Sequence, residues 1–183
     1  IGDSGLGFSL HSEIVAPYLL HYGSEHIKQT YLPKMASGEM IGAIAMTEPA
    51  AGSDLQGIKT TAVKQGDHWV LNGSKTFISH GQIGDVFIVV CKTDPDAKPP
   101  HRGISLLLVE DGTPGFVKGR KLDKLGLPGQ DTSELFFQDC RVPVTNLLGE
   151  EGRGFHMLMT ELQQERLCIG VSSIASCKRS LAD

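Results

Sequence analysis

Apolar positions fall into three regimes along the chain. Residues 6–20 and 24–37 place them three and four apart, the spacing of one helical face. Ser24 followed by Glu25 predicts an N-terminal cap with an acid in the first turn. Gly23 separates the two helices and Ser37-Gly38 ends the second. From residue 41 the pattern changes to short runs rich in β-branched and aromatic residues: 41–46, 58–64, 68–72, 75–79, 85–91, 103–110, 115–119 and 132–138. Turn signals divide them, among them Gly66-Asp67, Asp94-Pro95 and Pro114-Gly115. Asn72-Gly73 between two such runs predicts a tight hairpin. Residues 94–102, with three prolines, read as an exposed loop. After Gly149 to Gly154 the helical spacing returns and continues to the last residue.

This succession predicts an α+β fold, with an antiparallel β-barrel or sandwich as a middle domain flanked by α-helices. The boundaries fall at 1–40 (helical), 41–148 (β) and 149–183 (helical). No G-x-G-x-x-G follows a strand, so a Rossmann sheet is not expected.

Composition narrows the chemistry. Net charge is −4 and aromatic residues make up 6%, so no basic surface argues for nucleic acid. No apolar run reaches the roughly 20 residues of a membrane helix. Cys91, Cys140, Cys168 and Cys177 form no C-x-x-C pair and read as buried or half-buried free thiols. The seven histidines lack metal-site spacing, so no metal is expected. Ile1 belongs to no signal peptide and the final residues carry no helix stop, so both ends look cut from a longer protein.

Three stretches carry candidate chemistry. In Ala45-Met46-Thr47-Glu48-Pro49-Ala50-Ala51-Gly52-Ser53-Asp54, two hydroxyls and a glycine turn follow an apolar run. Such a strand end can hold a polar or phosphorylated ligand with backbone N–H groups and hydroxyls, or can be an ordinary turn. Thr76-Phe77-Ile78-Ser79 offers a ring and a hydroxyl at a second strand end. On the last helix, Phe155, Leu158, Leu162, Glu165 and Ile169 share a stripe, with Glu165 about 20° from Leu158. A carboxylate there either takes a structural partner such as Arg166 or has its pKa pushed upward, as suits a general base. Glu161 lies off this stripe and is expected in solvent.

Met46 to Asp54, then Trp69-Val70-Leu71-Asn72-Gly73-Ser74-Lys75-Thr76-Phe77-Ile78-Ser79, then Leu162-Gln163-Gln164-Glu165-Arg166-Leu167, resemble the acyl-CoA dehydrogenases, the long-chain type most. The resemblance covers the whole chain as about half of a family subunit. It implies an FAD cofactor, with Ile44, Ala45, Met46 and Thr47 along the flavin, Gly52 and Ser53 at the pyrophosphate, and Phe77, Ile78 and Ser79 at the ring and its N5. It implies an acyl-CoA substrate contacted by Ser53, His156, Gln163, Gln164 and Arg166. Glu165 matches one of the family's two positions for the catalytic base. The implied reaction is removal of the thioester α-proton by Glu165 as a β-hydride passes to flavin N5, giving a trans-2-enoyl-CoA. The resemblance further implies electron-transfer flavoprotein as acceptor, a homo-oligomer (tetramer or dimer), and a setting in bacterial cytoplasm or mitochondrial matrix. It also implies that these 183 residues alone bind FAD weakly and are inactive. The alternatives are an acyl-CoA oxidase, or an inactive member serving as an assembly or binding protein.

Overall fold

The computed structural model describes residues 7–182. A π-wound turn, Leu10–Val15, runs directly into α1 (Ala16–Tyr22), with Pro17 in its first turn. Pro17 has no N–H to donate to the carbonyl of Glu13. That carbonyl instead accepts the side-chain amide of Gln164 at 3.2 Å. Helix α2 (Glu25–Ser37) starts where the sequence predicts, with Ser24 Oγ accepting from Ile27 N. Gly38 closes it in the left-handed region, φ 81°.

The β region is one sheet of eight strands among the described residues: β1 (Gly42–Ala45), β2 (Thr61–Gln65), β3 (His68–Ser79), β4 (Val86–Lys92), β5 (Ile104–Glu110), β6 (Phe116–Lys121), β7 (Thr132–Pro143) and β8 (Leu147–Leu148). The order is β6-β7-β3-β2-β4-β5-β8, with β1 beside β4. Pairing is antiparallel except for β1 with β4 and β2 with β4. The expected α+β class holds, with those two parallel pairs added.

β4 and β5 are continuous apolar runs because both their faces are covered. Val86, Ile88 and Val90 of β4 and Ile104, Leu106 and Leu108 of β5 pack with Val15, Tyr18, Leu19, Ile27 and Leu158 of the helices. The alternate residues Phe87, Val89, Cys91, Leu107 and Val109 turn into a second core with Trp69, Leu135 and Val142. Phe116 stacks on Phe137 and meets Phe87 edge-on there. Of the cysteines, Cys91 and Cys140 are buried and Cys168 half-buried, all free, as expected; Cys177 is exposed instead.

The predicted hairpin at Asn72-Gly73 is not formed. β3 runs through it, and the tight turn is Gly66-Asp67, where Gln65 pairs with His68. Gly73 serves close approach instead: a Cβ there would lie 2.7 Å from Thr60 Cα.

The last helix, α3, spans Gly154–Ala182. Gly154, Met157, Leu158, Glu161 and Glu165 are buried, but Leu167, Ile169, Val171 and Ile174 are more than half exposed. The predicted stripe therefore divides. Leu158 and Glu165 face α1, Phe155 and Leu162 face a cavity, and Ile169 is in solvent. Glu161 is 7% exposed, not solvated. It stands one turn before Glu165 on the same face, which the packing of α3 on α1 selects. No helix among the described residues is long and apolar enough to cross a membrane.

Candidate functional site

The loop after β1 is pinned to β3 by backbone and charge. Thr76 N donates to Thr47 O at 2.9 Å. Lys75 Nζ donates to Met46 O at 3.0 Å and to Glu48 Oε1 at 2.8 Å. The two carboxylate oxygens of Glu48 also accept from Lys59 N and Thr60 N. Both side chains of the Glu48–Lys75 pair are almost fully buried. Burial presses against both charges. For Glu48 the Lys75 ammonium and the hydrogen bonds outweigh it and hold the carboxyl below its usual range. Glu48 thus ties the start of the loop to β3 and to the Lys59–Thr60 backbone.

The same stitching forces β3 out of register. Between Lys75 and Ile78 the pairing with β7 shifts, and Phe77 sits there at φ 58° with its side chain 66% exposed. An aromatic residue in the left-handed region is strained. Its ring gains little packing in return. The following Ile78 is buried, Ser79 half-buried, and His80 is also left-handed at φ 60°.

Phe77→Gly is expected to keep or raise Tm, because glycine removes a left-handed penalty of about 1–2 kcal/mol at a side chain that packs little. It is expected at the same time to lower cofactor retention in the complete protein. Thermal melting and the bound-flavin ratio after desalting check the two halves separately.

The 46–56 loop meets α3 across a cavity of about 380 Å³, whose lining includes Met46, Thr47, Ser53, Leu162 and Arg166; the Thr76–Ser79 stretch does not line it. Gly52 and Ser53 are exposed at its mouth, and a Cβ on Gly52 would meet nothing within 4 Å. Ile44 and Ala45 turn their side chains into the two cores, so only their backbone faces outward groups. A second cavity, of about 540 Å³, shares Phe155 and Met159 and is lined by His101, Arg102, Arg153 and His156. His101 and Phe155 rings lie 5.3 Å apart. Gln163 is exposed, and Gln164 is held on the Glu13 carbonyl.

Glu165 is 6% exposed and points toward Tyr18 of α1; it lines none of these cavities itself, and its neighbour Arg166 lines the first. Burial raises its pKa; the Tyr18 hydroxyl, a donor at 2.9 Å, opposes this, Glu161 adds to it, and Arg166 opposes it. Its hydrogen-bond partner is thus a tyrosine on α1, not the neighbouring arginine.

A profile described as acyl-CoA dehydrogenase, middle domain, matches residues 43–140, and one described as acyl-CoA dehydrogenase, N-terminal domain, matches residues 2–39. The chain belongs to the acyl-CoA dehydrogenase family. Within that family it is 58% identical over 173 residues to the mitochondrial long-chain specific acyl-CoA dehydrogenase of Sus scrofa, covering 94% of this chain and 40% of that protein. It is 49% identical to the mitochondrial isovaleryl-CoA dehydrogenase of Pongo abelii, covering 92% and 40%. The structure of acyl-CoA dehydrogenase from Geobacillus kaustophilus superposes with TM-score 0.89 at 64% identity, over 91% of this chain and 44% of that one. The chain spans about two fifths of the length of the curated relatives it matches.

Sequence reasoning missed Tyr18, Glu161, His101, Arg102 and Arg153. His101-Arg102 is a basic pair at the end of the 94–102 proline loop, a readable signal. Tyr18 gave none, because its partner is 147 residues away.

Proposed function

We propose that the protein of which this chain is part is a flavin-dependent acyl-CoA dehydrogenase in which Glu165 is the base. The observation that carries the reading is a buried carboxylate with raised proton affinity, next in the chain to Arg166, which lines a cavity walled by the 46–56 loop. The family resemblance supplies the cofactor, FAD, and the residues fit it. The strained, exposed Phe77 ring offers a face to a flat heterocycle, and open space over Gly52 beside the Ser53 hydroxyl suits a pyrophosphate. Thr47, Ser79 and the backbone of Ile44 and Ala45 complete the wall on this reading. FAD, when bound, supplies a two-electron acceptor for the hydride leaving the substrate β-carbon.

The chain's own groups do the rest. Ser53 and Arg166 face the cavity that receives the thioester end of acyl-CoA. Arg102 and Arg153, with His101 and His156 and against one acid, Glu151, give the neighbouring cavity cationic groups that suit phosphates. Glu165 takes the α-proton, and burial, which raises its proton affinity, favours the protonated form that results. Electron-transfer flavoprotein as acceptor, a homo-oligomer, and a bacterial cytoplasmic or mitochondrial matrix setting complete the proposal.

Anaerobic mixing of the complete protein with saturated acyl-CoA thioesters is expected to bleach the flavin absorbance. A flavin that stays oxidised with every acyl-CoA tried would favour an inactive binding protein. Fast reoxidation by dioxygen would favour an oxidase.

A further inference from the structure

α1 and α3 meet through side chains that the proposed reaction does not yet use. Tyr18 is fully buried, and its hydroxyl donates to Glu165 Oε1 at 2.9 Å. One turn earlier on α3, Glu161 Oε1 lies 2.9 Å from His21 Nδ1, and Tyr22 also reaches Glu161. Tyr18, His21 and Tyr22 stand at i, i+3 and i+4, one face of α1. Glu161 and Glu165 stand at i and i+4 on α3, where like charges repel. Two carboxylates therefore share one buried helix contact, and each has its own partner from α1.

That division has a geometric consequence. A carboxylate on a free side chain samples several rotamers, and in most of them neither oxygen points at a given substrate atom. The Tyr18 hydroxyl sits on a ring with no exposure, so its position is set by the core. It fixes one oxygen of Glu165.

We propose that Tyr18 is a positioning residue for Glu165, holding Oε1 so that Oε2 is presented to the substrate α-proton, with Glu161 kept apart by His21. This rests on the reading of Glu165 as base. Tyr18 itself touches no reacting atom. It acts on the base in two ways: it selects the rotamer, and as a donor to the ionised form it limits how far burial raises the proton affinity. The charged and titratable groups facing Glu165 are Tyr18 from α1 and Glu161, Arg166 and Cys168 from α3; Glu13 of the π-wound turn acts on Cys168, and His21 and Tyr22 act through Glu161. Loss of Tyr18 removes a stabiliser of the carboxylate, so Glu165 would titrate at higher pH. Loss of the Glu161 charge removes a destabiliser, so it would titrate at lower pH.

The test uses the complete, flavin-loaded protein with two readouts. One is the infrared carboxyl C=O band of Glu165 followed against pH, assigned by its disappearance in Glu165→Gln; this needs no turnover. The other is α-proton exchange of an acyl-CoA in heavy water. Tyr18→Phe is expected to move the infrared midpoint up and slow exchange roughly tenfold at neutral pH, the scale of one hydrogen bond to a charged group, with KM little changed. Glu161→Gln is expected to move the midpoint down. Fluorotyrosine at position 18, a stronger donor of the same shape, is expected to move it down as well, and keeps the test decisive if the phenylalanine variant unfolds.

An unchanged midpoint and exchange rate in Tyr18→Phe overturn the proposal, whatever happens to Tm. If Glu165→Gln still exchanges the α-proton, the base assignment fails and the catalytic role of Tyr18 fails with it. If Glu165→Gln is dead while Tyr18→Phe behaves as wild type, only the positioning role is lost.

Discussion

Replacing Glu165 by Gln in the complete protein is expected to abolish α-proton exchange, lowering the rate of flavin reduction by acyl-CoA by about 10³-fold or more, near the upper part of the range for a lost general base. The same variant is expected to keep its flavin and its fold. The sign follows from the raised proton affinity. A carboxyl whose folded pKa lies above its unfolded value contributes stability only at low pH, and that contribution is lost as pH rises through the folded pKa. Above its unfolded pKa the buried carboxyl is therefore a burden, and glutamine, which can still accept from the Tyr18 hydroxyl, relieves it. Tm at pH 7 should be equal or higher, and the difference should shrink in acid. Normal exchange in Glu165→Gln, measured by mass spectrometry in heavy water, would rule out Glu165 as base. A collapse in Tm with loss of flavin would instead make Glu165 a structural residue.

The second large effect concerns stability. Lys75→Met leaves the Glu48 carboxylate buried without its counter-charge, and breaking a buried pair in this way costs about 3–5 kcal/mol. In a chain of this size that corresponds to a Tm lower by roughly 10 °C. The loop from Thr47 to Ser53 loses its anchor at the same time, so flavin retention should fall with stability. Changing both partners, Lys75→Met with Glu48→Gln, should recover most of the loss, because no uncompensated charge remains. The pH dependence has the opposite sign to that of Glu165. The Glu48 pKa is depressed, so the pair's contribution is present above the ordinary carboxylate range and disappears as pH falls through the folded value. The gap between wild type and Lys75→Met should therefore close in acid. A gap independent of pH would mean that packing, not charge, holds the loop.

Both variants bear on how much of the molecule was readable beforehand. Helix starts were legible because caps are local: Ser24 and Gly38 act on groups three or four residues away. Strand positions were legible because β-branched runs bury both faces of β4 and β5. Asn72-Gly73 misled for the complementary reason. A glycine that permits a turn also permits a neighbour to press against the backbone, and only the position of Thr60 decides which use is made of it. Glu161 was placed in solvent on the assumption of a single stripe, yet α3 buries a face rotated toward Gly154 and Met157. The sequence shows which helical positions align. It does not show which aligned set meets a partner.

What the residues determined by themselves was the family, through three motifs in order, together with the α+β class. These depend on residue type and short spacing, which the chain carries intrinsically. The tertiary structure decided what each site residue faces. It drew Tyr18 to Glu165 across 147 positions of sequence, buried Glu48 against Lys75, pushed Phe77 into a left-handed bulge, and tied Gln164 to the carbonyl that Pro17 leaves open. Those contacts arise from the packing of distant segments and from unpaired backbone groups seeking partners, and neither leaves a local trace in the order of the amino acids.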